Sequence, residues 1–172
     1  MTYQHNNQLL SIHEPSMDIH FQESAEGMEE KKLFNENGSL QSVSFYRNQR
    51  LHGPSRFFSE NGVLLSETWF WRGERVGIAR FFYVGGAPYA VLRYYQGQKM
   101  GRQEYFYENG QPKTIEEYLH GRLHGEVTLY WPNGQLKRQS HFANGQRVKA
   151  DQFRDEEGKL IEQHMESHAS PS

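Results

Sequence analysis

The chain contains no cysteine, which excludes disulfides, thiolate nucleophiles and cysteine–zinc sites together. It also lacks an excess of positive charge: 19 Lys and Arg stand against 21 Asp and Glu, a net charge of -2. General nucleic-acid binders are usually strongly basic, so no nucleic acid is expected as partner. No window approaches the ~18 apolar residues of a membrane span. The opening MTYQHNNQLLSIHEPSMDIH lacks the basic segment and apolar stretch of a secretory signal. These absences predict a soluble, cytoplasmic protein with no integral membrane segment, and the missing cysteines suit a reducing compartment. Aliphatic side chains are scarce too, with a mean hydropathy of -0.90. Aromatics, by contrast, are 14% of the 172 residues, including ten Tyr and eleven Phe. Such a chain is poorly supplied for a thick aliphatic core, but well supplied for a thin layer of half-buried cross-strand pairs.

What the sequence does have is a period. Asn37-Gly38, Asn61-Gly62, Asn109-Gly110 and Asn133-Gly134 fall on a 24-residue repeat, with Gly85-Gly86 filling the gap and Glu157-Gly158 closing the series. Gly53, Gly77, Gly101 and Gly125 form a second column, preceded four residues earlier by Gln49, Gly73, Gly97 and Gly121. Two aromatic columns keep the same phase: Phe34, Phe58, Phe82, Phe106 and Tyr130, then Tyr46, Phe70, Tyr94, Tyr118 and Phe142. Asn-Gly is the strongest short hairpin signal, because both residues tolerate the positive φ of a two-residue type I′ turn. The flanking runs are rich in strand-favouring aromatic and β-branched residues. Each repeat therefore reads as strand, tight Asn-Gly turn, strand, glycine-containing loop. The G-x-x-x-G loops are too polar for membrane helix packing. The expected fold is all-β: a single-layer array of about six consecutive antiparallel hairpins, twisted and partly rolled.

Register follows if Asn-Gly is a two-residue loop. Phe57 then faces Ser66, and Gly53 faces Phe70. Their face collects Phe57, Phe81, Tyr105 and Leu129 with the column Phe70 to Phe142, and is the expected packed side. The other face pairs Phe58 with Leu65 and Arg56 with Glu67, and keeps the column Phe34 to Tyr130 among changeable neighbours such as Leu65, Tyr89, Trp69 and Arg93. Regular aromatics amid variable residues suit a partner-binding surface; they also suit a sheet merely held together by cross-strand pairs. Residues 1–28 lack the repeat signature and read as a degenerate capping segment, with a hairpin over residues 8–21 around Glu14-Pro15. The array is assigned to residues 29–160, and residues 161–172 to a flexible tail.

The segment Tyr118-Leu119-His120-Gly121-Arg122-Leu123-His124-Gly125, followed by Leu129-Tyr130-Trp131-Pro132-Asn133-Gly134-Gln135-Leu136, resembles the MORN-repeat variant proteins of the YwqK antitoxin type. Residues 94–112 show the same pattern. The resemblance spans about residues 30–160, and the chain departs from the pattern at Gln49, Gly85 and Lys149. It implies an antitoxin or immunity protein that binds and neutralises a cognate bacterial toxin or secreted effector by stoichiometric contact, without a cofactor. MORN-like arrays also serve as scaffolds and lipid binders, so fold alone does not decide function.

Individual sites are weighed against the repeat. His120 and His124, like His164 and His168, are four residues apart, a metal-ligand spacing on a helix. His120 and His124 lie in a glycine loop, however, and His52 shares the repeat position of His124, so no metal is assigned. Glu116 and Glu117 alternate to opposite faces of a strand and cannot act as a facing acid–base pair. No nucleophile triad or phosphate loop is discernible; no catalytic residue is assigned and the chain is not expected to be an enzyme. Partner contacts are assigned to Phe58, Trp69, Phe82, Tyr89, Phe106 and Arg93, since buried aromatics and arginines dominate interface energies. A basic edge of Arg72, Arg75, Lys99 and Arg102 offers the alternative: a scaffold or membrane module with peripheral binding to anionic lipid. A third possibility is an accessory subunit that positions a catalytic partner.

Overall fold

Among the described residues, the alternation of aromatic and polar residues between glycine-rich breaks produces strands joined by turns, without a helix. A computed structural model describes residues 10–12, 19–21 and 27–164. β1 (Leu10–Ile12) and β2 (Ile19–Phe21) form a two-stranded sheet, within the segment assigned to the hairpin over residues 8–21; the bend at Glu14-Pro15 lies outside the described residues. One open antiparallel sheet holds the rest: β3 (Glu29–Phe34), β4 (Leu40–Arg47), β5 (Arg50–Phe58), β6 (Leu64–Trp71), β7 (Glu74–Phe82), β8 (Pro88–Tyr95), β9 (Gln98–Lys99), β10 (Gly101–Phe106), β11 (Pro112–Leu119), β12 (Arg122–Tyr130), β13 (Leu136–Ala143), β14 (Gln146–Arg147), β15 (Asp151–Arg154) and β16 (Leu160–His164). Sequence neighbours are sheet neighbours throughout, and kinks split β9 from β10 and β14 from β15. Strand β16 runs on to His164, past the expected end of the array.

The mid-strand register is the one the repeat predicts: Gly53 pairs with Phe70, Pro54 with Trp69, Arg56 with Glu67 and Phe57 with Ser66. The turns, however, are exchanged. The two-residue turns with positive φ at both positions lie in the glycine loops: Arg72 and Gly73 at φ 51 and 94, Gln96 and Gly97 at 47 and 76, His120 and Gly121 at 47 and 75. Trp71–Glu74, Tyr95–Gln98 and Leu119–Arg122 close them. At the Asn-Gly edge only the glycine is left-handed, for example Gly62 at φ 78. Ser59 N donates to Val63 O, and Gly62 N donates to Ser59 O, so the loop has three residues with a glycine bulge. Phe58 therefore pairs with Leu64 rather than Leu65. The position before the glycine needs only ordinary φ. That is why Gly85 and Glu157 serve there as well as asparagine, and the third turn keeps the same hydrogen bonds, Tyr83 N to Ala87 O and Gly86 N to Tyr83 O.

Beyond each tight turn the ladder slips by two residues: Trp69 pairs with Val76, but Glu67 pairs with Arg80. The second glycine of the motif sits at the slip with positive φ, reaching 107° at Gly125. In the last repeat Lys149 takes this place, and the strand is interrupted there. The slip creates a buried stripe along the packed face: Ser55 is 5% exposed, Ala79 1%, Gln103 0%, Val127 5% and Asp151 2%. Ala79, Ala90, Leu92 and Tyr94 pack together there, flanked by Phe81 and Tyr105. Gln103 fills its kink with hydrogen bonds. Its Oε1 accepts from Arg93 N at 2.9 Å, and its Nε2 faces the carbonyls of Arg93, Met100 and Gly101. A fully buried amide is tolerated because its polar atoms are partnered.

Candidate binding faces

The two faces of the sheet differ in chemistry. Opposite the buried stripe, cross-strand pairs put Val43, Arg56, Glu67, Arg80, Val91 and Glu104 in one row. Arg56 Nε lies 2.6 Å from Glu67, Arg93 3.2 Å from Glu104, and Arg102 3.1 Å from the same Glu104. Beside this charged row runs the column Phe58, Phe82, Phe106 and Tyr130, each half-buried. Successive members are two strands apart, a pitch of about 10 Å. Arg80 and Arg102 flank the column with side chains 46% and 51% exposed.

Of the residues assigned to partner contact, Phe58, Phe82 and Phe106 fall in this one column. Trp69 shares the face but is 9% exposed and packs against Val76 and Trp71. It lies toward the tight-turn end of its strand, paired with Pro54 and Val76 and away from the Phe58 end. Arg93 is likewise drawn in, its guanidinium donating to Arg102 O at 2.7 Å as well as to Glu104. Tyr89 goes to the other face. The bulge that pairs Phe82 with Pro88 leaves Tyr89 without a cross-strand partner, and its ring meets Tyr83 and Tyr105 edge-on at 5.3 and 6.3 Å. It is 40% exposed there.

The four residues of the basic edge do not form one strip. Arg72 and Arg75 are exposed and lie over the rings of Trp71 and Tyr94. Lys99 turns inward over Tyr118 at 4.7 Å, donates to Tyr105 Oη at 3.1 Å and lies 3.7 Å from Glu116. Burial opposes its charge, but the Tyr105 hydrogen bond and the neighbouring acidic groups prevail and raise its pKa above 10.5. Burial, followed by the Glu116 carboxylate, raises Tyr118 above 10.0. Arg102 belongs to the opposite face with Glu104. The histidines have local roles: His52 stacks on Trp71 at 4.4 Å, His120 occupies a left-handed turn position, and His124 Nδ1 accepts from Asn144 N at 3.4 Å. Only the backbone of His164 is described, and His168 lies outside the described residues.

A further column ties the repeats together. Tyr83 Oη donates to Phe106 O, Tyr107 Oη to Tyr130 O, and Trp131 Nε1 to Arg154 O, each 23 residues on, at 2.8 to 3.0 Å. Asn109 and Asn133 add amide bonds to Pro132 O and Glu156 O. Asn35 and Ser59 hold the equivalent places in the first two repeats. The signal was in the sequence as aromatics at 83, 107 and 131, masked by the adjacent aromatics at 82, 106 and 130.

Three stretches, residues 51–71, 101–120 and 123–144, match the MORN repeat variant family. They coincide with hairpin units of the sheet, so over these stretches the chain is similar to MORN-variant repeats. No curated protein matches the chain.

Proposed function

We propose that this protein is an antitoxin or immunity protein that occupies a cognate bacterial toxin or secreted effector through the face bearing Phe58, Phe82 and Phe106. The observation that carries the reading is the form of that face. Half-buried aromatic rings recur at a pitch of about 10 Å, bordered by the exposed side chains of Arg80 and Arg102. Aromatic anchors with a charged rim are the usual anatomy of a protein interface. Inhibition is stoichiometric, takes place in the cytoplasm and uses no catalysis by this chain. The test is co-expression with the product of the neighbouring gene, followed by a tagged pull-down. A stable complex that relieves toxicity supports the reading; no complex and no protection refute it.

A second reading rests on Arg72 and Arg75, which stand exposed at the tight-turn edge: docking to an anionic membrane. Binding to anionic vesicles that falls steeply with salt would favour it. It would also be lost on replacing these two arginines, while Phe82→Ala left it unchanged.

A further inference from the structure

Asn-Gly is a reactive dipeptide as well as a turn. The glycine nitrogen, shielded by no side chain, attacks the asparagine Cγ, and a C–N bond closes a succinimide. The amide nitrogen departs as ammonia with the proton released by the glycine nitrogen. Water then adds to either imide carbonyl and leaves aspartate or isoaspartate. Closure requires the carboxamide to swing freely onto that nitrogen. The chain has five such pairs, at Asn37, Asn61, Asn109, Asn133 and Asn144, and the structure holds them differently.

Asn109 and Asn133 are fixed at both ends of the amide. Their Oδ1 atoms accept from Gln111 N and Gln135 N, and their Nδ2 atoms donate to the next repeat. Asn37 Oδ1 accepts from both the backbone and the hydroxyl of Ser39. At Asn144 the attacking nitrogen is the one held, because Gly145 N donates to Leu123 O of the preceding repeat at 2.7 Å. Asn61 has none of these restraints. The donor that would anchor it, Val63 N, goes to Ser59 Oγ at 3.1 Å. Its exposed side chain has no hydrogen bond among the described residues. The nitrogen of Gly62 is held only within its own turn, by Ser59 O.

We propose that Asn61 is a site of spontaneous deamidation in the folded protein, ahead of the asparagines of the other four Asn-Gly pairs, because Ser59 takes the donor that would clamp its amide. The product adds a negative charge beside Glu60, on the edge that carries Glu36 and Glu108. Isoaspartate also lengthens the chain path through the loop that sets Phe58 against Leu64. On the reading of the Phe58 face as a binding surface, ageing at this one turn alters the interface; the reaction itself does not depend on that reading.

The experiment is peptide mapping by mass spectrometry of the native protein incubated at mildly alkaline pH, with an isoaspartate assay and the urea-denatured chain as control. In the denatured chain the five sites should convert at similar rates. In the native protein Asn61 should convert first, with Asn109 and Asn133 slower by about tenfold, the factor expected from their additional hydrogen bonds. Ser59→Ala, which frees Val63 N to bind Asn61 Oδ1, should slow Asn61 severalfold and leave Asn109 unchanged. Equal native rates at the five sites, or an Asn61 rate unaffected by Ser59→Ala, would overturn the proposal.

Discussion

The two edges of the sheet carry opposite kinds of constraint. At the tight-turn edge the backbone itself is specified, with two successive left-handed residues and then a second glycine at the slip. At the Asn-Gly edge only one residue per loop is left-handed, and side chains do the rest, through the column of Tyr83, Tyr107 and Trp131. The difference explains the pattern of exceptions. The loose edge accepts Asn37, Gly85 and Glu157 at one position without a change of turn. The tight edge accepts Gln49 only by placing it at φ 63, where a side chain is strained.

The largest effect that would sharpen this contrast is expected at Gly125. At φ 107 a side chain is strained whatever the space, and a Cβ would come within 3.2 Å of Glu117 Cβ. Gly125→Ala should destabilise the array by about 2 kcal/mol, read from urea denaturation; no loss would mean that the slip does not depend on glycine. A smaller effect is expected at the loose edge. Tyr107→Phe removes one tie to the next repeat and should cost about 1 kcal/mol, with raised amide exchange around Tyr130. Unchanged exchange at Tyr130 would mean that the bond does not couple the repeats. The smallest should run the other way: Gln49→Gly relieves a left-handed side chain and should stabilise by about 0.5 kcal/mol, strain relief being partly offset by backbone entropy. A lowered melting temperature would contradict the assignment of strain to that turn.

Much of the fold was legible because its columns share one period. The 24-residue spacing set the number of hairpins, and the pairs Arg56–Glu67 and Gly53–Phe70 could be read from it directly. The turns were not legible from the dipeptide. Asparagine tolerates positive φ but does not require it, and the closing residues decide which edge is tight. The same uncertainty displaced Tyr89: a bulge in the ladder turns one side chain to the other face, and alternation cannot foresee it. Burial of Trp69 and Arg93 was hidden for another reason. Both residue types combine an apolar body with a polar tip, so their presence on a face does not say whether they cover it or lie beneath it.

The surface assigned to the partner rests on Phe82 and Phe106 standing half-buried in one column. Titration calorimetry of the partner captured from the neighbouring gene, against the wild type and the variants Phe82→Ala, Phe106→Ala and Arg75→Ala, tests this directly. Loss of about 2 kcal/mol of affinity in each phenylalanine variant, with near-unchanged binding by Arg75→Ala, is the predicted result. Full affinity in both phenylalanine variants, with binding lost on Arg75→Ala, would contradict it and place the partner on the basic edge.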